Sequence, residues 1–151
     1  MTGTNHVAIG AIIGATVSPA LALPAAFASH FVADTLPHFG IPNHDDRKKP
    51  KYIRLFLAVL KVDVITMTTL LIWFALNAEW IVTLSAFAAF SPDIAWIYRY
   101  IFTEKWGKLP PRPRNRFNEF HFKIQKYEFP LGILLEVPLA IALVISINRL
   151  V

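Results

Sequence analysis

The stretch His6–Phe39, HVAIGAIIGATVSPALALPAAFASHFVADTLPHF, decides how this chain is organised. It is almost wholly apolar, and Ser18-Pro19 interrupts it midway. Proline has no N–H and disfavours a helical residue before it, so the run is either a helical hairpin or one long kinked helix. We read a hairpin. Its first arm, about 5–17, is rich in Gly and Ala, and Gly10 and Gly14 lie four apart, a face that lets another helix come close. At about 20 Å this arm is short for a full bilayer crossing. The second arm, about 19–36, has Pro19 at its first turn and Pro24 near its start.

The end of the run, from Ser29 to His38, places His30, Asp34 and His38 at i, i+4 and i+8. On a helix these fall on one stripe, each about a turn above the last. His30 and His38 would then stand roughly 12 Å apart, too far to share one ion directly. Either Asp34 is the common ligand and one histidine is the odd one out, or Pro37 ends the helix and His38 curls back. The bland alternative is a polar helix end whose Asp34 accepts backbone donors.

Composition sets the environment. The 151 residues suit one domain, 1–151, yet 55% are hydrophobic and 17% charged, which points to a bilayer. With no cysteine, thiolate ligands, disulfides and cysteine nucleophiles are excluded, leaving His, Asp and Glu. The formal charge of +5 comes from basic residues in loops beside apolar runs, which the positive-inside rule explains better than nucleic-acid binding does. The start, Met1-Thr-Gly-Thr-Asn, lacks the basic region of a signal peptide.

After the hairpin comes a polar loop, Gly40 to Arg54, with Arg47, Lys48, Lys49, Lys51 and Arg54. His44 lies there among Asn43, Asp45 and Asp46 and reads as solvated. Spans are expected at about 53–76, carrying Lys61 and Asp63, and at about 80–102, carrying Ser91-Pro92-Asp93. A second basic loop, 103–128, contains Lys105, Lys108, Arg112 and Arg114 around Pro110, Pro111 and Pro113. Within it, residues 116–128 interleave aromatics with charges, as an amphipathic helix in the membrane interface would. The last span, about 129–148, holds Glu136 and Pro138.

The expected architecture is all-α, with about five membrane segments and one interfacial helix, both basic loops being cytoplasmic. Sorted on that topology, His6, His30, Asp34, His38, Asp63, Asp93, His121 and Glu136 fall at one depth on the cytoplasmic side. Ionisable groups within spans are costly and mark function by default. Lys61 and Asp63, two apart, do not face one another on a helix. The favoured ion for imidazole and carboxylate is Zn2+, with Mn2+ or Fe2+ behind it. Glu136 or Asp63 would be the base, and the sequence does not choose between them.

His6-Val-Ala-Ile-Gly, Ser29-His30…Asp34…Pro37-His38 and Ser91-Pro92-Asp93 together resemble the small membrane-bound metal-dependent hydrolases grouped loosely with zinc-dependent phospholipase C. The resemblance implies a multi-span bundle with metal ligands at His6, His30, Asp34, His38 and Asp93, joined by His121. The expected function is hydrolysis of a lipid or lipid-linked (phospho)ester at the cytoplasmic face of a prokaryotic inner or plasma membrane. The alternative is a non-catalytic subunit or scaffold whose polar layer is structural or binds a partner. Membrane lipids are the expected partners, alongside a protein partner or a second copy within the bilayer, and nucleic acid is not one.

Overall fold

A computed structural model describes residues 1–42, 49–94 and 116–150, without the side chains of Asn118 and Phe122. His44 and the basic residues Arg47, Lys48, Lys105, Lys108, Arg112 and Arg114 lie outside the described residues, as does the span expected beyond Ile94.

Extended backbone at Val17 and Ser18 breaks the first apolar run, and Pro19 opens the next helix at its first position. The result is a hairpin of α1 (Gly3–Thr16) and α2 (Pro19–Ala33), not one kinked helix. α2 ends three residues earlier than expected, with Asp34 as its C-cap. The chain then turns into a two-residue strand, β1 (His38–Phe39). α3 (Pro50–Asn77) follows, then α4 (Trp80–Phe90), which tightens into a 3-10 turn at Ser91–Asp93. The second basic loop leads into α5 (Arg116–Ile124), β2 (Glu128–Phe129), a 3-10 turn at Pro130–Gly132 and α6 (Ile133–Ile147).

α1 has no distinct polar face and is buried over most of its length, with Ala15 and Thr16 exposed at its end. It lies chiefly against α4, with α2, α6 and α3 also touching it. Gly10 and Gly14 make the α4 contact possible. A Cβ at Gly10 would meet the Ser85 carbonyl oxygen at 2.5 Å, and one at Gly14 would meet Val82 Cα at 2.7 Å. The core around this contact is built from small or slender residues, among them Val7, Ala8, Ala11, Ala22, Val82 and Ala86.

β1 and β2 pair in parallel, His38 opposite Glu128 and Phe39 opposite Phe129, a feature no hydrophobic pattern announces. Gly132 lies against the same strand, where a Cβ would sit 2.2 Å from the His38 carbonyl. This small clasp ties the end of the hairpin to the start of α6.

Among the described residues, two helical stretches are long and apolar enough to cross a membrane, Pro50–Asn77 and Pro130–Ile147, with mean hydropathies of 2.1 and 2.3. A core helix of a soluble protein would bury such a stretch, whereas only 6% and 17% of these windows are buried within the chain. Pro138 lies inside α6 without ending it.

Candidate metal centre

Four elements converge at Asp34, the C-cap of α2. α1 contributes His6, α2 contributes His30, the 3-10 turn after α4 contributes Asp93, and α5 contributes His121; all five side chains are buried. The hairpin brings the His6 and His30 rings into a stack with centroids 4.0 Å apart, although the residues are distant in sequence. Asp34 Oδ2 lies 2.6 Å from His121 Nε2 and 3.3 Å from His30 Nε2. Asp34 Oδ1 lies 3.2 Å from His6 Nε2. His30 Nε2 is in turn 3.0 Å from His121 Nε2 and 3.8 Å from Asp93 Oδ1. Among the described residues, two sets have ligand-capable atoms within 4.8 Å of one another: His6, His30 and Asp34, and His30, Asp93 and His121.

Proton counting shows what this arrangement lacks. His30 Nδ1 lies 2.8 Å from the Ala89 carbonyl oxygen, which only accepts, so Nδ1 carries the proton. Neutral His30 therefore presents a bare lone pair at Nε2, as a metal-ligating histidine oriented by a backbone carbonyl does. His121 Nε2 can donate to Asp34, but that leaves no proton for His30. His6 is buried with neither ring nitrogen hydrogen-bonded among the described residues. His30 Nε2 is thus a buried acceptor beside Asp34, His121 and Asp93, a position that could hold a metal ion. Donors about 2.0–2.2 Å from a zinc ion lie roughly 3.3–3.6 Å apart when tetrahedral; the His6–Asp34 and His30–Asp34 distances come near this, whereas His121 lies closer than that to both Asp34 and His30. The pocket already holds positive charge, since the Met1 ammonium donates to Asp34 Oδ1 at 2.5 Å. Burial alone would depress the pKa of that ammonium, but the Asp34, Glu136 and Asp93 carboxylates outweigh burial and hold it above its ordinary value.

His38 stands apart from both sets. Its Nδ1–H donates to the Leu36 carbonyl at 2.6 Å, and Nε2 faces Glu128 Oε1 at 4.0 Å across the strand pair. Burial, reinforced by the N-terminal ammonium, holds its pKa below the ordinary histidine value.

The two carboxylates read as candidate bases have different partners. Asp63 accepts the backbone N–H groups of Gly3 and Thr4, each at 2.8 Å, and so caps the start of α1 from a neighbouring helix. Glu136 accepts from Thr2 N at 2.6 Å and Asn5 Nδ2 at 3.1 Å through Oε2, and from Phe39 N at 2.6 Å through Oε1. Both Asp63 oxygens and Glu136 Oε2 hold the N-terminal segment against α3 and α6, and Glu136 Oε1 holds β1 against α6. Lys61 is exposed while Asp63 is half-buried, consistent with side chains that do not face one another.

No family model, characterised protein or solved structure matches this chain. The functional reading therefore stands on the geometry.

Sequence reasoning missed three groups. Gln125 donates to Asp34 Oδ2 at 3.1 Å and lies 3.3 Å from His121 Nε2. Its place four residues after His121 was the available signal, since that spacing shares a helix face. Asn5, beside His6, secures Glu136. The Ala89 carbonyl, which orients His30, left no trace in residue type.

Proposed function

We propose that the chain is a membrane-embedded, metal-dependent hydrolase acting on a lipid or lipid-linked (phospho)ester. His30 carries this reading: it is fully buried, its Nδ1–H is committed to Ala89, and its bare Nε2 faces Asp34, His121 and Asp93. His6, His30, Asp34, Asp93 and His121 would hold the ion. Both ligand sets need the one free lone pair of His30, and an imidazole nitrogen serves one ion at a time. The site is accordingly mononuclear. Zinc is the first candidate for this imidazole and carboxylate set, with manganese or iron behind it. Such an ion supplies Lewis acidity toward a phosphoryl or acyl oxygen and acidifies water.

The chain's own residues position the chemistry. Ala89 fixes the His30 tautomer, and Gln125 restrains both Asp34 and His121. Asp63 and Glu136 fix the first turn of α1, and with it His6. The lipid reading is supported by the apolar exposure of α3 and α6 and by exposed Phe27, Val32 and Leu36 on the chain around His30 and Asp34. In this reading α3 and α6 cross the bilayer. The hairpin, with helices of 14 and 15 residues, enters it from the cytoplasmic face, and α4 begins the remaining span.

A scaffold role is the second reading, favoured by the full engagement of Asp63 and Glu136 in backbone contacts. Activity in detergent separates the two. The hydrolase reading expects cleavage of a phospholipid or acyl-ester probe that EDTA abolishes, that Zn2+ restores and that His30→Ala eliminates. A folded, zinc-loaded protein that cleaves neither class of probe would favour the scaffold.

A further inference from the structure

α5 is attached in an unusual way. It supplies His121 to the Asp34 cluster, yet what holds it against the hairpin is a set of side-chain contacts to α2 and its cap. The Phe31 ring meets Phe117, Phe120 and His121 at centroid distances of 6.0, 5.7 and 5.8 Å. His121 and Gln125 reach Asp34. Among the described residues, the rest of the helix is largely exposed. Phe117 and Phe120 remain 41% and 54% exposed despite touching Phe31, and Tyr127 just after the helix is 61% exposed. Exposed Arg116, Lys123 and Lys126 surround these rings, with Glu119 as the exposed acid among them.

Half-covered aromatic rings edged by basic side chains form the face of a helix lying in a lipid interface, and the excess of positive charge selects an anionic one. The hairpin set of His6, His30 and Asp34 is complete without α5, whereas the second set requires His121. The position of α5 therefore decides whether an ion held by His6, His30 and Asp34 has His121 as a further donor beside it.

We propose that an anionic lipid surface docks α5 through Phe117, Phe120, Tyr127 and the basic residues Arg116, Lys123 and Lys126, and that docking sets His121 and Gln125 against Asp34. The lipid surface is the outer wall of the helix, as Phe31 and Asp34 are its inner wall. The second half of the proposal rests on the metal reading above; the first half does not.

The test uses the full chain in nanodiscs of phosphatidylcholine alone or with phosphatidylglycerol. Amide hydrogen exchange over residues 116–127 reports docking, and Zn2+ affinity reports coupling. Anionic lipid is expected to slow exchange in this segment at least about tenfold and to tighten Zn2+ binding by a similar factor. Lys123→Glu/Lys126→Glu should abolish both lipid effects, with exchange in α3 unchanged as the check on folding. Equal exchange in the two lipids, or an anionic-lipid effect that survives the charge reversal, would overturn docking and point to a protein partner for this face. Slowed exchange with unchanged Zn2+ affinity would overturn the coupling. Slowed exchange with no Zn2+ binding in either lipid would establish docking and refute the metal reading instead.

Discussion

Asp34 is the residue on which the centre depends. Its two oxygens meet the Met1 ammonium, His6, His30, His121 and Gln125, all within 3.3 Å. Removing its charge leaves buried donors and cations without a partner, a change that typically costs about 3–5 kcal/mol. Asp34→Asn, close in shape, is expected to lower unfolding free energy in detergent by about 3 kcal/mol and to weaken zinc binding at least 100-fold. Denaturant titration and zinc titration of the two proteins check this. His38 offers a separate test. Its folded pKa lies below the unfolded histidine value of 6.5, so the unfolded chain takes up the proton first as pH falls. Stability is then complete above about pH 6.5 and is lost below it, by up to about 1.4 kcal/mol per pH unit until the folded group also titrates. Unfolding of wild type and His38→Gln between pH 7.5 and 5.5 should show a shallower loss in the variant; equal slopes would remove His38 from the account.

How legible these residues were depends on what each one contacts. The i, i+4 pair His30 and Asp34 was readable because helix geometry alone puts both on one face. His38 was not, because α2 stops at Ala33 and the chain turns before reaching it. Asp63 and Glu136 stood out as carboxylates in apolar segments. Their partners did not, since backbone N–H groups exist at every position and become conspicuous only where a helix begins.

At the scale of elements, the α1–α4 contact controls the centre indirectly. α4 carries Ala89, whose carbonyl orients His30, and Ala89 Cβ lies where a Cβ on Gly10 would meet it at 2.7 Å. Gly10→Ala must therefore push the helices apart. We expect a stability loss of about 1–3 kcal/mol and zinc binding weakened about tenfold. Calorimetric titration and thermal unfolding check this, and unchanged zinc affinity would mean that the helix spacing does not tune His30. The small-residue face of α1 was evident from Gly10 and Gly14, and α3 and α6 from long apolar runs. The β1–β2 clasp was not, because two-residue strands carry no alternation and the parallel partner lies 90 positions away, His38 opposite Glu128.

Across the whole molecule, α1 is the axis around which α2, α3, α4 and α6 assemble, and its N-terminal turn is held by Asp63 and Glu136 beside the Asp34 cluster. In the proposed metal site, ion binding and stability would be coupled, because the candidate ligands come together only in the folded chain. Zinc at 100 times its dissociation constant is expected to stabilise the protein by about 2.7 kcal/mol, seen as a raised unfolding midpoint that His30→Ala lacks. The most direct test of the central claim is the metal content of the purified, folded chain by native mass spectrometry. The account predicts one ion per chain, lost in both His30→Ala and Asp34→Asn. A folded wild-type chain that takes up no zinc, manganese or iron would contradict it.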